Sequence, residues 1–195
     1  MMRLIGNKAP NFKASAVANG QINENFSLDL FYGNYILLFF YPLDFTFVCP
    51  TELHAFQERL EEFEKLGAQV IGCSVDSPFS HLAWVNTPKT KGGIEGVAYP
   101  LVADLNKQIA RDYQVLDEDI GIAFRALFLM DKDHIIRHQL VNDLPLGRSV
   151  DETLRLLNAL IFYEKTGDVC PANWQKGEQS MKPTQEGLIT YFNSR

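Results

Sequence analysis

The sequence predicts an α/β fold with a mixed central sheet flanked by helices. Three observations carry that expectation. Tyr35–Tyr41 reads YILLFFY, a short continuous apolar run that suits a strand covered on both faces. Beyond Pro50 the apolar residues Leu53, Phe56, Leu60, Phe63 and Leu66 recur at helical spacing, with Glu58, Glu61, Glu62 and Glu64 between them. Gln69–Val75 then forms a second apolar strand, and this strand–helix–strand unit is followed by a hairpin and a last helix.

Each element has a local cause. The segment to about Leu30 carries the turn residues Asn19-Gly20, Asn23 and Asn25 and reads as a hairpin or irregular start. Pro42 ends the strand Tyr35–Tyr41. A helix is expected over Pro50–Leu66, because Pro50 costs no intrahelical bond in the first turn and Gly67 can close the other end. Ser77-Pro78 opens a helix that stops before Pro88. Lys89–Val97 is a glycine-containing loop, Tyr99–Val102 is extended, and Asp104 can cap a helix running through Tyr113. Arg125–Met130 and Ile135–Val141 are strands joined by the charged turn Asp131-Lys132-Asp133. Ser149 and Glu152 form a capping box for a helix that presents Val150, Leu154, Leu157 and Ile161 on one face and ends near Gly167. Residues 1–167 read as one domain, and residues 168–195, with Pro171 and Pro183, as an extended C-terminal tail.

Composition narrows the function classes. The chain has 195 residues, of which 46% are hydrophobic, and a net charge of −6, which fits one globular domain and argues against a nucleic-acid backbone as partner. No apolar run is long enough to cross a bilayer and no signal-like N-terminal stretch is present, so no membrane partner and a cytoplasmic location are expected. Three widely spaced cysteines make a poor disulfide framework. Without a C-x-x-C pair, a dithiol motif and a zinc site are both disfavoured. Cys73, in AQVIGCSV, reads as a small core residue.

Cys49 is different. It lies where the apolar strand gives way to the helix, in FFYPLDFTFVCPTEL. Unpaired backbone N–H groups and the positive end of the helix dipole at such a point favour a thiolate, the form that attacks electrophiles. Thr46, three residues earlier, can hold the thiol or a substrate oxygen, or can simply cap the helix. Arg125 opens an otherwise apolar strand, where a charge needs either a salt-bridge partner or a function.

Pro42, Thr46 and Cys49 fit the pattern P-x-x-x-T-x-x-C, and the chain resembles the typical two-cysteine peroxiredoxins. DVCPANW around Cys170 resembles their resolving-cysteine segment, and HLAWVNTP, YPLVAD, IAFRALFLMD and GRSVDETLRLL extend the likeness over essentially the whole chain. The resemblance implies a thioredoxin-like fold and a peroxidase cycle. Cys49 would attack a hydroperoxide and become a sulfenic acid, Cys170 of a neighbouring subunit would condense with it to a disulfide, and a thioredoxin-like dithiol protein or a flavoprotein would reduce that disulfide. It carries to Arg125 a place beside Cys49 and implies a homodimer and a ring of dimers, commonly a decamer. Ile135–Val141 would be the edge strand of the dimer contact, and Phe79 would lie at the second interface. Pro42 would shield the thiolate, Thr46 would supply a hydroxyl, and Glu52 and Arg148 would orient Arg125 or form an ordinary salt bridge. No metal or organic cofactor is required, since sulfur carries the electrons.

Magnitudes show that ionisation alone is not enough. Lowering a thiol from about 8.5 to about 6 raises its thiolate fraction about thirtyfold at neutral pH. Enzymatic accelerations commonly exceed about a millionfold, so donors that follow charge as the O–O bond breaks must supply the rest. A disulfide further requires Cα atoms within about 7 Å, so the first turn at Cys49 is expected to unwind and the Cys170 segment to move. One departure from the resembled pattern stands out: where peroxidases prone to over-oxidation carry a GGLG loop, this chain has Gly92-Gly93-Ile94-Glu95, although Tyr191-Phe192 is present near the end. Glu95 is expected to loosen packing over the Cys49 helix and give intermediate sensitivity to peroxide. Two rivals remain at this stage. One is a Cys–His hydrolase pairing Cys49 with His54, His81, His134 or His138; His54, five residues on, points away from Cys49, and the other three read as surface-like. The other is a non-enzymatic chaperone or relay.

Overall fold

The computed structural model describes residues 4–194; residues 1–3 and residue 195, the outer ends of the two expected segments, lie outside the described residues. The chain forms two compact units, Met1–Arg148 and Ser149–Arg195.

The first unit is built on a seven-stranded mixed sheet. Its strands are β1 (Lys13–Ala18), β2 (Gln21–Ser27), β3 (Tyr35–Phe40), β4 (Ala68–Ser74), β5 (Leu101–Ala103), β8 (Arg125–Met130) and β9 (Ile136–Asn142), in the spatial order β2-β1-β5-β4-β3-β8-β9. A separate two-stranded ribbon pairs β6 (Leu116–Asp117) with β7 (Ile122–Ala123). β3 runs parallel to β4 and antiparallel to β8, which places Leu38 between Ile71 and Phe128. Every residue of β3 is buried. Ile36, Leu38 and Phe40 enter a core with Ile71, Val102, Tyr113 and Phe128. Phe39, pointing the other way, stacks on Phe56 at 4.6 Å between ring centroids. A strand covered on both faces has no polar side, which is why its sequence shows no alternation.

Helices α1 (Cys49–Glu58), α2 (Leu60–Lys65), α3 (Pro78–Val85) and α4 (Gln108–Asp112) complete the unit. The helix expected over Pro50–Leu66 is two helices. At Arg59 the backbone (φ −110, ψ 8) leaves the helical region, and its N–H reaches back to Phe56 O at 3.2 Å. The apolar period runs through the break, and Phe63 still meets Phe56 at 6.2 Å, so the sequence reads as one helix. Gly67, at φ 72, closes α2 as expected. Asn19 and Gly20, at φ 51 and 69, form the two-residue turn that joins Ala18 to Gln21. Ser77 caps α3 through Ser80 N–H, and the Asp104 carboxylate accepts from Ile109 and Ala110 N–H. β9 ends the sheet, and its start is covered by the N-terminal segment, where Gly6 N–H donates to Ile136 O and Ile136 N–H to Asn7 O.

The second unit holds α5 (Val150–Thr166) and α6 (Gln185–Asn193). Ser149 caps α5 through Glu152 N–H, and the Glu152 carboxylate accepts from Arg155. Helix α6 was not expected, although Thr184 after Pro183 is a start signal and caps it through Gly187 N–H. The tail is further ordered by a bridge between Val169 and Met181 and by Trp174, whose ring is buried and whose Nε1–H donates to Glu178 O.

Candidate active site

The turn between β3 and α1 builds the site. Pro42 is buried two residues beyond β3 and brings no N–H that would need a partner. Val48 occupies the N-cap position, so Cys49 is the first residue of α1 and Pro50 the second. No side chain caps this helix. Thr51 and Glu52 N–H both turn back to Val48 O, at 3.0 and 3.2 Å.

Thr46 therefore does not cap the helix. Its hydroxyl lies 2.9 Å from Leu43 O and 2.8 Å from Cys49 Sγ. A hydroxyl has one proton and a carbonyl can only accept. With a protonated Cys49, the S–H donates to Thr46 Oγ1 and the hydroxyl donates to Leu43 O. With a thiolate, the hydroxyl turns to donate to sulfur. Thr46 thus serves either protonation state without moving its oxygen.

Arg125, at the start of β8, also reaches the sulfur. Its Nη1 is 3.4 Å from Cys49 Sγ and 2.8 Å from Glu52 Oε2, and its Nε–H donates to Leu144 O. Glu52, one turn along α1 from Cys49, is held by Arg148 through Nε to Oε1 and Nη2 to Oε2, both at 2.7 Å, and through the Arg148 backbone N–H at 2.9 Å. Arg148 also donates to Phe40 O and Ala126 O and lies over the Phe39 ring at 5.1 Å. Burial pushes the Glu52 carboxyl up, but the hydrogen bonds and charge of Arg148, joined by the charge of Arg125, outweigh it and hold the carboxyl below its ordinary 4.5. Two guanidiniums face one carboxylate, which leaves the buried cluster one positive charge in excess. A thiolate at Cys49 brings it to neutrality. Cys49 itself is fully buried, so a substrate must be small or the turn must open.

The structure brings together Cys49, Thr46, Arg125, Glu52 and Arg148, with Pro42 in the same turn. Cys170 belongs to the second unit, half-buried, with its Sγ 3.7 Å from Ala159 O. Burial pushes its thiol up, and the nearby Arg155 charge offsets part of that shift. All three cysteines are free, and Cys73 is fully buried with its thiol pushed well up by burial and then by Asp104.

The histidines need a correction. His81 and His134 are buried, not surface-like. His81 Nδ1 faces Asp44 Oδ2 at 2.8 Å and Nε2 faces Val102 O at 3.2 Å, while His54 is engaged by Gly93 O. The sulfur's partners are a hydroxyl and a guanidinium, which removes the footing of a Cys–His hydrolase. Sequence reasoning did not reach the backbone carbonyls of Leu43, Leu144, Phe40 and Ala126, which aim the side chains; carbonyl direction leaves no mark in residue identity. Glu95 is exposed and its φ is not positive, whereas Gly96 stands at φ 93, so the carboxylate sits in the loop without backbone strain.

The AhpC/TSA family matches residues 5–139, and the C-terminal domain of 1-Cys peroxiredoxin matches residues 159–194. The chain is 54% identical to the chloroplastic 2-Cys peroxiredoxin BAS1 of Hordeum vulgare over 97% of its own length and 90% of that protein. It is 48% identical to a thioredoxin peroxidase of Echinococcus granulosus over 100% of both. The reduced 2-Cys peroxiredoxin of Plasmodium vivax superposes with a TM-score of 0.95 at 49% identity, covering 98% of this chain and 100% of that one. With a thioredoxin-like α/β unit presenting a cysteine at a helix start to a hydroxyl and a guanidinium, the chain belongs to the AhpC/TSA family and is a thiol-dependent peroxidase of the peroxiredoxin type.

Proposed function

We propose that Cys49 is the peroxidatic nucleophile and Cys170 the resolving cysteine of a cycle that reduces hydrogen peroxide and organic hydroperoxides. The observation that carries this reading is the pairing of Thr46 Oγ1 at 2.8 Å and Arg125 Nη1 at 3.4 Å on one sulfur at a helix start. The Cys49 thiolate attacks the terminal peroxide oxygen, an S–O bond forms as the O–O bond breaks, and water or an alcohol leaves once protonated. Arg125 and Thr46 point donors at the oxygens on which charge develops. Glu52 and Arg148 hold the Arg125 fork in place, and Pro42 keeps water from the sulfur. Cys170 of a partner subunit then displaces the sulfenic oxygen as water, and a thioredoxin-like dithiol protein or a flavoprotein reduces the disulfide.

In this reading residues 1–167 supply the peroxidase domain and 168–195 the tail that delivers Cys170. The protein works in the cytoplasm as a homodimer, with β9 at the dimer contact, and as a ring of dimers in which Phe79, 73% exposed, meets a neighbour. Among the described residues no helix is long and apolar enough to cross a membrane, and no cluster of metal-ligating side chains is found. Glu95 makes the enzyme intermediate in its sensitivity to peroxide.

Non-reducing electrophoresis after one equivalent of hydrogen peroxide tests the cycle. A dimer-sized band is expected, lost in both Cys49→Ser and Cys170→Ser. An oxidised band of monomer size would mean an intrachain bond and would refute resolution by the partner.

A further inference from the structure

Within the second unit, Cys170 is framed on both sides. Before it, Val169 and Met181 exchange backbone hydrogen bonds at 2.9 and 3.2 Å. After it, Trp174 N–H donates to Pro171 O at 3.1 Å and Trp174 Nε1–H to Glu178 O at 3.0 Å. The buried Trp174 ring meets Phe162 of α5 at 5.0 Å between centroids. The Cys170 S–H rests on Ala159 O, 3.7 Å from the sulfur. Arg155, one turn before Ala159 on the same face of α5, completes the frame. Its Nη1–H donates to Trp174 O at 3.1 Å, and its Nε and Nη2 donate to the two Glu152 oxygens at 2.6 and 2.8 Å. Nothing in the Cys49 site uses Arg155 or Glu152.

Two neighbours act on the Cys170 thiol in opposite directions. Ala159 O can only accept, so it favours the protonated sulfur. The Arg155 charge favours the thiolate and offsets part of what burial does. The Glu152 side chain keeps 50% of its surface exposed against 18% for Arg155. Water therefore screens the carboxylate more than the guanidinium, and the pair does not cancel at Cys170. Of the tail's own acids, Asp168 accepts from Ser180 O–H and Glu178 from Gln175 N–H.

We infer that Arg155 is a positioning residue for the second step of the cycle: it ties the Cys170 turn to α5 and sets a positive charge near the sulfur that attacks oxidised Cys49. The inference rests on the cycle proposed above. In that step the Cys170 thiolate forms the S–S bond with the Cys49 sulfur and the S–O bond breaks. The departing hydroxide takes up the equivalent of the proton that Cys170 gave to solvent and leaves as water. Only the thiolate attacks, so the rate at neutral pH follows the ionised fraction of Cys170.

The test uses the full chain as wild type, Arg155→Met, Arg155→Lys and Glu152→Gln. In the reduced protein, labelling of Cys170 by iodoacetamide is followed against pH by peptide mapping. Disulfide formation after one equivalent of hydrogen peroxide is followed by stopped-flow fluorescence at pH 7. Loss of the charge in Arg155→Met is expected to raise the labelling midpoint by about half a pH unit and to slow disulfide formation about threefold. Arg155→Lys, which keeps the charge, is expected to stay near the wild-type midpoint. Glu152→Gln removes the opposing charge and is expected to lower it. The rate of Cys49 oxidation is expected to be the same in all four. A role confined to holding the turn has the opposite sign: a loosened turn exposes Cys170, relieves its burial and lowers the midpoint in Arg155→Met. Such a fall overturns the inference, as does an unchanged midpoint, an equal shift in Arg155→Lys or an unchanged rate of disulfide formation. If wild type forms no Cys49–Cys170 disulfide, the cycle itself fails and the inference falls with it; that result is read separately, on the unmutated protein.

Discussion

Arg125 Nη1 stands 2.8 Å from Glu52 Oε2 and 3.4 Å from Cys49 Sγ, so one guanidinium nitrogen joins a carboxylate and a sulfur that lie one turn apart on the same helix. The fork does this because β8 starts beside α1 and Leu144 O takes its Nε–H. A lysine has the charge without the fork and cannot serve carboxylate, carbonyl and sulfur together. Arg125→Lys is expected to lower kcat/KM for hydrogen peroxide about 10²- to 10³-fold with the far-ultraviolet circular dichroism unchanged. Stopped-flow oxidation of Cys49 checks it, and a loss under threefold would remove Arg125 from the chemistry.

Thr46 is tested by a near-isosteric change. Thr46→Val removes the hydroxyl bonded to the sulfur and leaves Leu43 O without that donor. A hydrogen bond to a charged group contributes about 1.5–3 kcal/mol, so a loss of about 10- to 100-fold in the rate of Cys49 oxidation is expected. Thr46→Ser, which keeps the hydroxyl, is expected to retain most of the rate.

Glu52 is a stability residue as well. Glu52→Gln leaves two buried guanidiniums without a counter-charge, and removing one partner of a buried ion pair costs about 3–5 kcal/mol. Urea unfolding at neutral pH should register that loss. The carboxyl titrates lower in the folded protein than in the unfolded chain, so its stabilisation is complete above the unfolded value of about 4.5 and disappears as pH falls through the folded one. Between pH 6 and pH 3 the wild-type urea midpoint should therefore fall more steeply than that of Glu52→Gln.

The cysteines outside the site differ in access. Cys170 is half-buried with a raised thiol, so its alkylation by iodoacetamide in the reduced protein should be slow at pH 7 and quicken as pH passes 9. Cys73 has no exposed surface and should react only after unfolding. Peptide mapping after timed quenching separates the two, and rapid labelling of Cys73 in the native protein would contradict its place in the core.

Much of this was legible in residue order, and the reason differs by element. β3 declared itself by an unbroken apolar run, α5 by Ser149 before a periodic face, and the β1–β2 turn by Asn19-Gly20, because each reflects contacts within a few residues. The break at Arg59 was illegible because the apolar period continues across it. Helix α6 was passed over because two prolines made the tail read as extended, although Thr184 marked its start. The burial of His81 was also missed: its surroundings are made by Asp44 and Val102, neither of which adjoins it in sequence.

Sequence alone determined which sulfur stands at a helix start, since strand, proline and helix signals are local and their order is covalent. Tertiary structure decided what that sulfur faces. Residues 49, 52, 125 and 148 meet only because antiparallel pairing of β3 with β8 carries Arg125 to the end of the strand that leads into the Cys49 turn, and because Phe40 O and Ala126 O hold Arg148 against Glu52. Such convergence depends on register and on the direction of backbone carbonyls, and neither is written in the identity of any single residue.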